Sequence, residues 1–295
     1  MPETKYVLIT PAKNEQTMIG RTIQAVVSQT FRPKKWVIVD DGSTDRTRDI
    51  IADAAHQHSF ILPIYNTANK GANFGSKVAA FKMGYEVLKS ESYEFVGNVD
   101  ADVSFGPDYY EQVIRRLQAD ASLGIAGGLV YELTGRDWHP QRNSVTSVAG
   151  AVQCFRRECY EAIGGYIPIT TGGIDAAAEI MARAQGWTVR MFSELPVFHH
   201  RRVATGRSTV LSTRFVEGTT NYRLGYHPLF QLGSSMSRCI DRPWLLGSLA
   251  TLLGYSWAWL RGCRLAMSVE TVRYLRAEQM TRMGLCFRGR TREGR

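Results

Sequence analysis

Over its first 130 residues the chain alternates short apolar runs with amphipathic stretches, and this rhythm constrains the fold more than any other feature. Tyr6-Val-Leu-Ile-Thr10 reads as a strand, and Met18 to Gln29 as a helix with Ile19, Ile23, Val26 and Val27 on one face. Trp36-Val-Ile-Val-Asp40 is a second strand and Thr44 to His58 a second helix. Ile61-Leu-Pro-Ile-Tyr65 is a third strand, in which Pro63 indicates an edge or a bulge. Gly75 to Lys89 reads as a helix, Glu94 to Val99 as a fourth strand, and Asp108 to Ala119 as a helix opening just after Pro107. Apolar strands alternating with helices predict an α/β fold with a mostly parallel sheet covered on both faces. From about Leu123 the pattern loosens. Strands are expected over Ile125 to Leu133 and Ala149 to Phe155, around a polar loop from Thr134 to Thr146. Asp175 to Gln185 reads as a helix closed by Gly186, and Thr188 to Phe192 as a last strand.

In an open parallel sheet, ligands bind beyond the carboxyl ends of the strands. Strand one runs into Pro11-Ala-Lys-Asn-Glu15, strand two into Asp40-Asp-Gly-Ser-Thr-Asp45, and strand four into Asp100-Ala-Asp102. Three elements therefore deliver carboxylates to one edge. Each also has a plainer reading: Ser43 or Thr44 before Asp45 suits a helix cap, and Glu15 suits a solvated loop. Carboxylates spaced i, i+2 at a strand end converge when the chain turns, and oxygen ligands of that kind suit Mg²⁺ or Mn²⁺ bridging phosphates. A lone Asp-x-Asp recurs by chance; three acidic motifs in register with the strand pattern do not.

On Pro11, Asn14, Glu15, Asp40-Asp-Gly-Ser-Thr-Asp45, Asn69-Lys-Gly71 and Asp100-Ala-Asp102, residues 5 to 200 resemble the family 2 glycosyltransferases. The resemblance implies a GT-A fold, a Rossmann-like sheet flanked by helices, and a nucleotide-sugar donor. It implies that Pro11, Glu15 and Asp41 contact base and ribose with Asp40 supporting them. Asp100 and Asp102 would engage the ribose and a diphosphate bridged by Mg²⁺ or Mn²⁺. Lys70 and Lys77 are candidate ribose or phosphate partners, although the spacing after Gly71 departs from the commonest pattern and a solvated lysine is the plainer reading of each. The family's catalytic carboxylate lies eleven residues before a Gly-aromatic pair, here Gly186-Trp187, which assigns the general base to Asp175. The acidic residue that usually precedes it is Ile174, a departure. Glu179, one turn on, would orient an acceptor or pair with an Arg. Related enzymes place a histidine after the base helix as a metal ligand. His199 is preferred over His200 for that role; the same His-His-Arg-Arg run also suits a phosphate.

Composition divides the chain. The net charge is +9, yet residues 201–295 contain 16 Arg, no Lys and 5 acidic residues, whereas the first 200 balance at −2. That distribution excludes a nucleic-acid binder basic across its whole domain. It implies a catalytic domain over 1–200 and an Arg-rich helical membrane-associating region over 201–295. Five cysteines without a CxxC pair imply reduced thiols and a cytosolic setting. Met1 to Lys5 is polar and Tyr6 to Ile9 too short for a signal-peptide core. Pro243 to Leu260 carry no charge, with Trp244, Trp257 and Trp259 near the ends and Arg on both sides. Three readings stand: a helix packed on the catalytic domain, an interfacial helix on the cytoplasmic face of an anionic membrane, or a span. Leu265 to Met283 is expected as an amphipathic helix bearing Arg264, Arg273, Arg276 and Arg282.

The expected function is inverting, metal-dependent sugar transfer to a saccharide or lipid-linked saccharide acceptor, in polysaccharide or glycolipid assembly and without nucleic acid. A nucleotidyltransferase of related fold and a non-catalytic partner of another transferase are the alternatives.

Overall fold

The computed structural model describes residues 4–66, 74–201, 207–237 and 245–290. The chain divides into two compact units. The first runs to Val203 apart from Thr171–Gly173, which belong with residues from Ala204 onward in the second.

The first unit is built on β1 (Tyr6–Ala12), whose residues Tyr6, Val7, Leu8 and Ile9 are all fully buried. Alternate side chains of a strand face opposite sides of the sheet, so a continuous apolar run needs cover on both. Tyr6 and Leu8 enter a core with Trp36, Ile38 and Phe95, closed by Ile19 and Val26 of α1 (Ile19–Val27), Ile51 of α2 (Thr47–Gln57) and Tyr110 of α4 (Tyr109–Ala119). Val7 and Ile9 enter a second core with Val37 and Val39. It is closed by Phe81 of α3 (Phe74–Leu88), Tyr160 of α5 (Arg157–Ala162) and Ala178 of α6 (Ile174–Ala184).

Beside β1 run β2 (Lys35–Asp40), β3 (Ile61–Tyr65), β4 (Phe95–Asn98), β5 (Val103–Phe105), β6 (Leu123–Thr134), β7 (Asp137–Pro140), β8 (Cys154–Arg156) and β9 (Thr188–His199). The sheet order is β3-β2-β1-β4-β8-β6-β9-β5, with β7 paired to β6. Strands β3, β2, β1 and β4 are parallel, as are β6 and β9. Pro63 sits on an edge strand, where a missing N–H is tolerated.

Beyond β4 the sheet departs from the expected one. The strand expected over Ala149 to Phe155 is a 3-10 turn (Gly150–Val152) followed by the short β8, antiparallel to β4 and β6. The polar loop after Thr134 contains β7, and α5 opens directly after β8. The last strand does not stop at Phe192. β9 continues to His199 because its second half pairs with both β6 and β5, in a register that opposes Val103 to His199. That pairing returns His199 to the residue after Asp102.

The second unit is helical: α7 (Arg207–Arg223), α8 (Pro228–Ser237), α9 (Leu245–Leu260) and α10 (Val269–Arg290). Among the described residues no helix is long and apolar enough to cross a membrane.

Candidate active site

The loops after β1 and β2 are stitched together by their own side chains. Asn14 holds φ 55°, a left-handed conformation that Asn tolerates better than most residues. From there its N–H donates to Ser43 Oγ (2.9 Å) and its Oδ1 accepts the Thr44 N–H (2.8 Å). The Glu15 N–H donates to Thr47 Oγ1 (2.7 Å), and Asp45 accepts from Gln16 and Thr47. Asp40 is buried and accepts the Ser43 N–H at 3.1 Å, so it shapes the turn from beneath. Asp41 follows with its N–H on Ala12 O, and its Oδ1 accepts Asn66 Nδ2 at 2.8 Å.

These loops, the Asp100-Ala-Asp102 turn between β4 and β5, the first half of α3 and the end of β9 enclose one cleft of about 420 Å³. Pro11, Lys13, Glu15, Asp41, Lys77, Asp100, Asp102, His199 and Arg201 line it. Seven of the site residues expected from sequence are thus gathered in one place. Asp40 lies below the cleft wall. Lys70 falls outside the described residues.

The charges in the cleft are tightly coupled. Lys77 Nζ meets Asp100 Oδ1 at 2.6 Å, and Asn98 Nδ2 donates to the same oxygen at 3.1 Å. Asp102 is buried, with His199 Nε2 at 3.1 Å and Arg201 Nε at 2.8 Å from one carboxylate oxygen. Arg201 also bridges to Glu15. Burial alone would raise the Asp102 carboxyl, but His199 and Arg201 outweigh it and hold it down at about 2. The hydrogen bond that His199 donates to Asp102 raises the imidazole despite burial. In Glu15 burial dominates, with help from Asp102 and Asp100, and the carboxyl is raised even with Arg201 beside it. Burial opposes the charge on Lys77, yet Asp100, with Asp175 and Asp102 behind it, raises the ammonium. His200 faces away: its ring joins Ser104 Oγ at 2.7 Å and Arg21 Nη1 at 3.1 Å.

A divalent ion is the group that the resemblance noted above implies. Among the described residues no group of three or more His, Cys, Asp or Glu stands close enough to hold a metal. Asp102 and His199 nevertheless supply one carboxylate oxygen and one imidazole nitrogen beside each other, a donor pair that suits Mn²⁺ or Mg²⁺. An ion held by few protein ligands takes the rest of its shell from substrate phosphate and water. The residues fit such a shared site.

Asp175 does not line the cleft. It opens α6, half-buried, with Oδ2 accepting the Gly150 N–H (3.1 Å) and Oδ1 the Ala176 N–H (2.9 Å). Gly150 and Ala151 also link it to the cleft, since Gly150 O accepts Asn98 Nδ2 and Ala151 O accepts the Asp100 N–H. Ile174 is buried beside Lys77, Val78, Phe81 and Tyr166, so the departure from the family pair fills an apolar position. Glu179 lies beneath, 3% exposed. Its Oε1 accepts from Val148 N (2.5 Å), Gln153 Nε2 (3.3 Å) and Ser147 Oγ (3.4 Å), and Arg183 is 3.8 Å from Oε2. Tyr166 completes this buried network through Gln153 Oε1 at 2.8 Å.

The sequence model described as Glycosyl transferase family 2 matches residues 7–174, more than half of the chain. The chain belongs to that family. It is 33% identical over 220 residues to a beta-monoglucosyldiacylglycerol synthase of Synechocystis, covering 67% of this chain and 44% of that protein. It is 28% identical over 140 residues to a poly-beta-1,6-N-acetyl-D-glucosamine synthase of Staphylococcus epidermidis, covering 48% of this chain and 29% of that protein. The chain therefore spans less than half the length of these relatives. Among solved structures, the mannosyltransferase PcManGT of Pyrobaculum calidifontis with GDP-Man and Mn²⁺ aligns over 97% of this chain and 81% of its own. The TM-score is 0.56 and the identity 16%. TarS of S. aureus, residues 1–349 with UDP-GlcNAc, aligns over 92% and 78% at the same score and identity. The fold is the mixed α/β GT-A fold, with a curled, mostly parallel sheet flanked by helices. The family match favours the glycosyltransferase reading over the nucleotidyltransferase alternative.

Three contributors carry no clear signal in the sequence. Arg201 lies in the His-His-Arg-Arg run that suits a phosphate, and nothing in that run marks it as the cation shared by Glu15 and Asp102. Asn98 and Gln153 gave no signal, because a buried amide in or beside a strand has no periodicity of its own.

Proposed function

We propose that this family 2 glycosyltransferase inverts the sugar it transfers from a nucleotide-sugar donor bound in the cleft. The observation that carries the reading is the convergence of Pro11, Glu15, Asp41, Lys77, Asp100, Asp102 and His199 on one cavity. Pro11, Glu15 and Asp41 contact base and ribose, with Asp40 fixing the turn under them. Asp100 takes a ribose hydroxyl and Lys77 a ribose hydroxyl or phosphate oxygen; Lys70, outside the described residues, is the second candidate for that role. Asp102 and His199 hold a Mg²⁺ or Mn²⁺ ion, which when bound supplies counter-charge to the diphosphate. Arg201 leaves its carboxylates and turns its guanidinium to the phosphate oxygens as the donor enters.

Asp175 is the general base. It accepts the proton of the acceptor hydroxyl as that oxygen bonds to the anomeric carbon and the bond from that carbon to the diphosphate oxygen breaks. Two hydrogen bonds, from Gly150 and Ala176, fix the carboxylate in place for this step.

The acceptor is a saccharide or lipid-linked saccharide, in polysaccharide or glycolipid assembly. The relatives named above, one a glycolipid synthase and one a polysaccharide synthase, support that class. The Arg-rich 201–295 region associates with the cytoplasmic face of an anionic membrane. Thermal-shift titration with UDP, GDP and dTDP in the presence of Mn²⁺ tests the donor site. One nucleotide is expected to raise Tm in wild type and not in Asp102→Ala; no shift with any nucleotide counts against the reading.

A further inference from the structure

Helices α8 and α9 are packed inside out. In α9 the buried residues are Gly247, Ser248, Thr251, Gly254 and Ala258, all small or hydroxylated. Leu245, Leu246, Leu249, Leu253, Trp257 and Leu260 are exposed, Leu245 by 71%. Residues 245, 249, 253, 257 and 260 recur at the spacing of one helix face, opposite the small residues. Helix α8 repeats the inversion. Gln231 and Ser235 are buried and hydrogen-bonded to each other at 3.0 Å, whereas Leu229, Leu232 and Met236 are exposed. A helix in water buries its large apolar side chains; this pair presents them.

The seam between α7 and α9 explains how such a helix is held. A Cβ on Gly218 would meet Thr251 O at 1.9 Å, and one on Gly254 would meet Phe215 O at 1.9 Å, so α7 and α9 touch backbone to backbone. Thr219 Oγ1 reaches Gly254 O at 3.3 Å across the same seam. Small residues and inter-helix hydrogen bonds inside, with large apolar residues outside, are how helices associate in lipid, where no hydrophobic force drives them together. The inversion does not extend to α10 of the same unit. There Val272, Leu275 and Gln279 are buried while Arg273, Arg276 and Arg282 are exposed, an ordinary water-facing pattern.

We propose that the outward face of α8 and α9 is a bilayer-contacting surface, lying in the interface of an anionic leaflet. The inference deepens the membrane reading above and is independent of the catalytic one. Charge selects the occupant. A second copy of this chain would bring two regions of 16 Arg and 5 acidic residues together, whereas anionic headgroups complement them. Trp257 and Trp259 stand at the C-terminal end of the apolar face, with Arg261 over the Trp257 ring at 5.4 Å. That arrangement places an amphipathic ring and its cation at headgroup level. The 16 described residues of α9 extend about 24 Å, short of the hydrocarbon thickness, which suits a helix lying in the interface.

The test is flotation of the full chain with phosphatidylglycerol–phosphatidylcholine vesicles and with phosphatidylcholine alone. The comparison is wild type against Leu245→Ser/Leu249→Ser/Leu253→Ser, with a circular-dichroism melt to confirm that the variant folds. Wild type is expected to float with the anionic vesicles and to lose Trp emission to brominated lipids. The variant is expected to partition at least tenfold less with its donor-induced thermal shift intact. A variant that floats like wild type overturns the assignment of this face, and so does a bound wild type whose Trp emission brominated lipid leaves unchanged. A wild type that never floats overturns the membrane reading with it.

Discussion

Glu179 offers a test of the packing beneath Asp175. Burial pushes its carboxyl up from 4.5 to about 8, with the charge of Asp175 adding to the effect against the Val148, Arg183 and Ser147 contacts. The unfolded chain releases this proton near 4.5, whereas the folded protein holds it to about 8. The folded state therefore binds more protons across that window. The stability tied to the group is complete below 4.5 and is lost as pH rises through about 8. A displacement of this size is worth at most about 5 kcal/mol, and relaxation of the Ser147–Gln153 segment reduces it to about 2–4 kcal/mol. Glu179→Gln keeps an acceptor for Val148, Ser147 and Gln153 without the charge. Urea unfolding of both proteins at pH 5 and pH 8 measures the difference. The variant is expected to match wild type within about 1 kcal/mol at pH 5 and to exceed it by about 2–4 kcal/mol at pH 8. A difference between the two proteins that does not change with pH would refute a buried, protonated Glu179.

Asp175→Asn keeps the Gly150 hydrogen bond but cannot accept the acceptor proton, so kcat is expected to fall by about 10²–10⁴ with donor KM little changed. Arg201→Ala removes the cation shared by Glu15 and Asp102, and steady-state kinetics should show donor KM raised about tenfold; an unchanged KM would make Arg201 a purely internal tie. Gly254→Val drives a side chain into Phe215 O and should destabilise the helical unit by about 3 kcal/mol or more, read as a lowered thermal midpoint. Chelation with EDTA should abolish the nucleotide-induced thermal shift, and added Mn²⁺ should restore it.

Much of the fold was legible because the parallel strands are buried on both faces and read as unbroken apolar runs. β1, β2 and β3 lie within two residues of their expected bounds at each end, and the acidic motifs after β1, β2 and β4 converge as the parallel arrangement requires. The second half resisted for a physical reason. β8 is three residues long and β5 another three, held by pairing to distant strands and not by local pattern. The extension of β9 to His199 depends on register with β5 and β6, which no window of sequence contains. The inverted α8 and α9 were hidden differently. Their apolar content was visible, but which face turns outward is settled only by where Gly218 and Gly254 let two backbones meet.

The most direct measurement is release and transfer of labelled sugar from a panel of nucleotide-sugars by wild type, Asp102→Ala and Asp175→Asn. Wild type should turn over one donor, Asp102→Ala should lose donor binding and turnover together, and Asp175→Asn should bind the donor and fail to transfer. Turnover in both variants at the wild-type rate would contradict a donor cleft built on Asp102 and a base at Asp175.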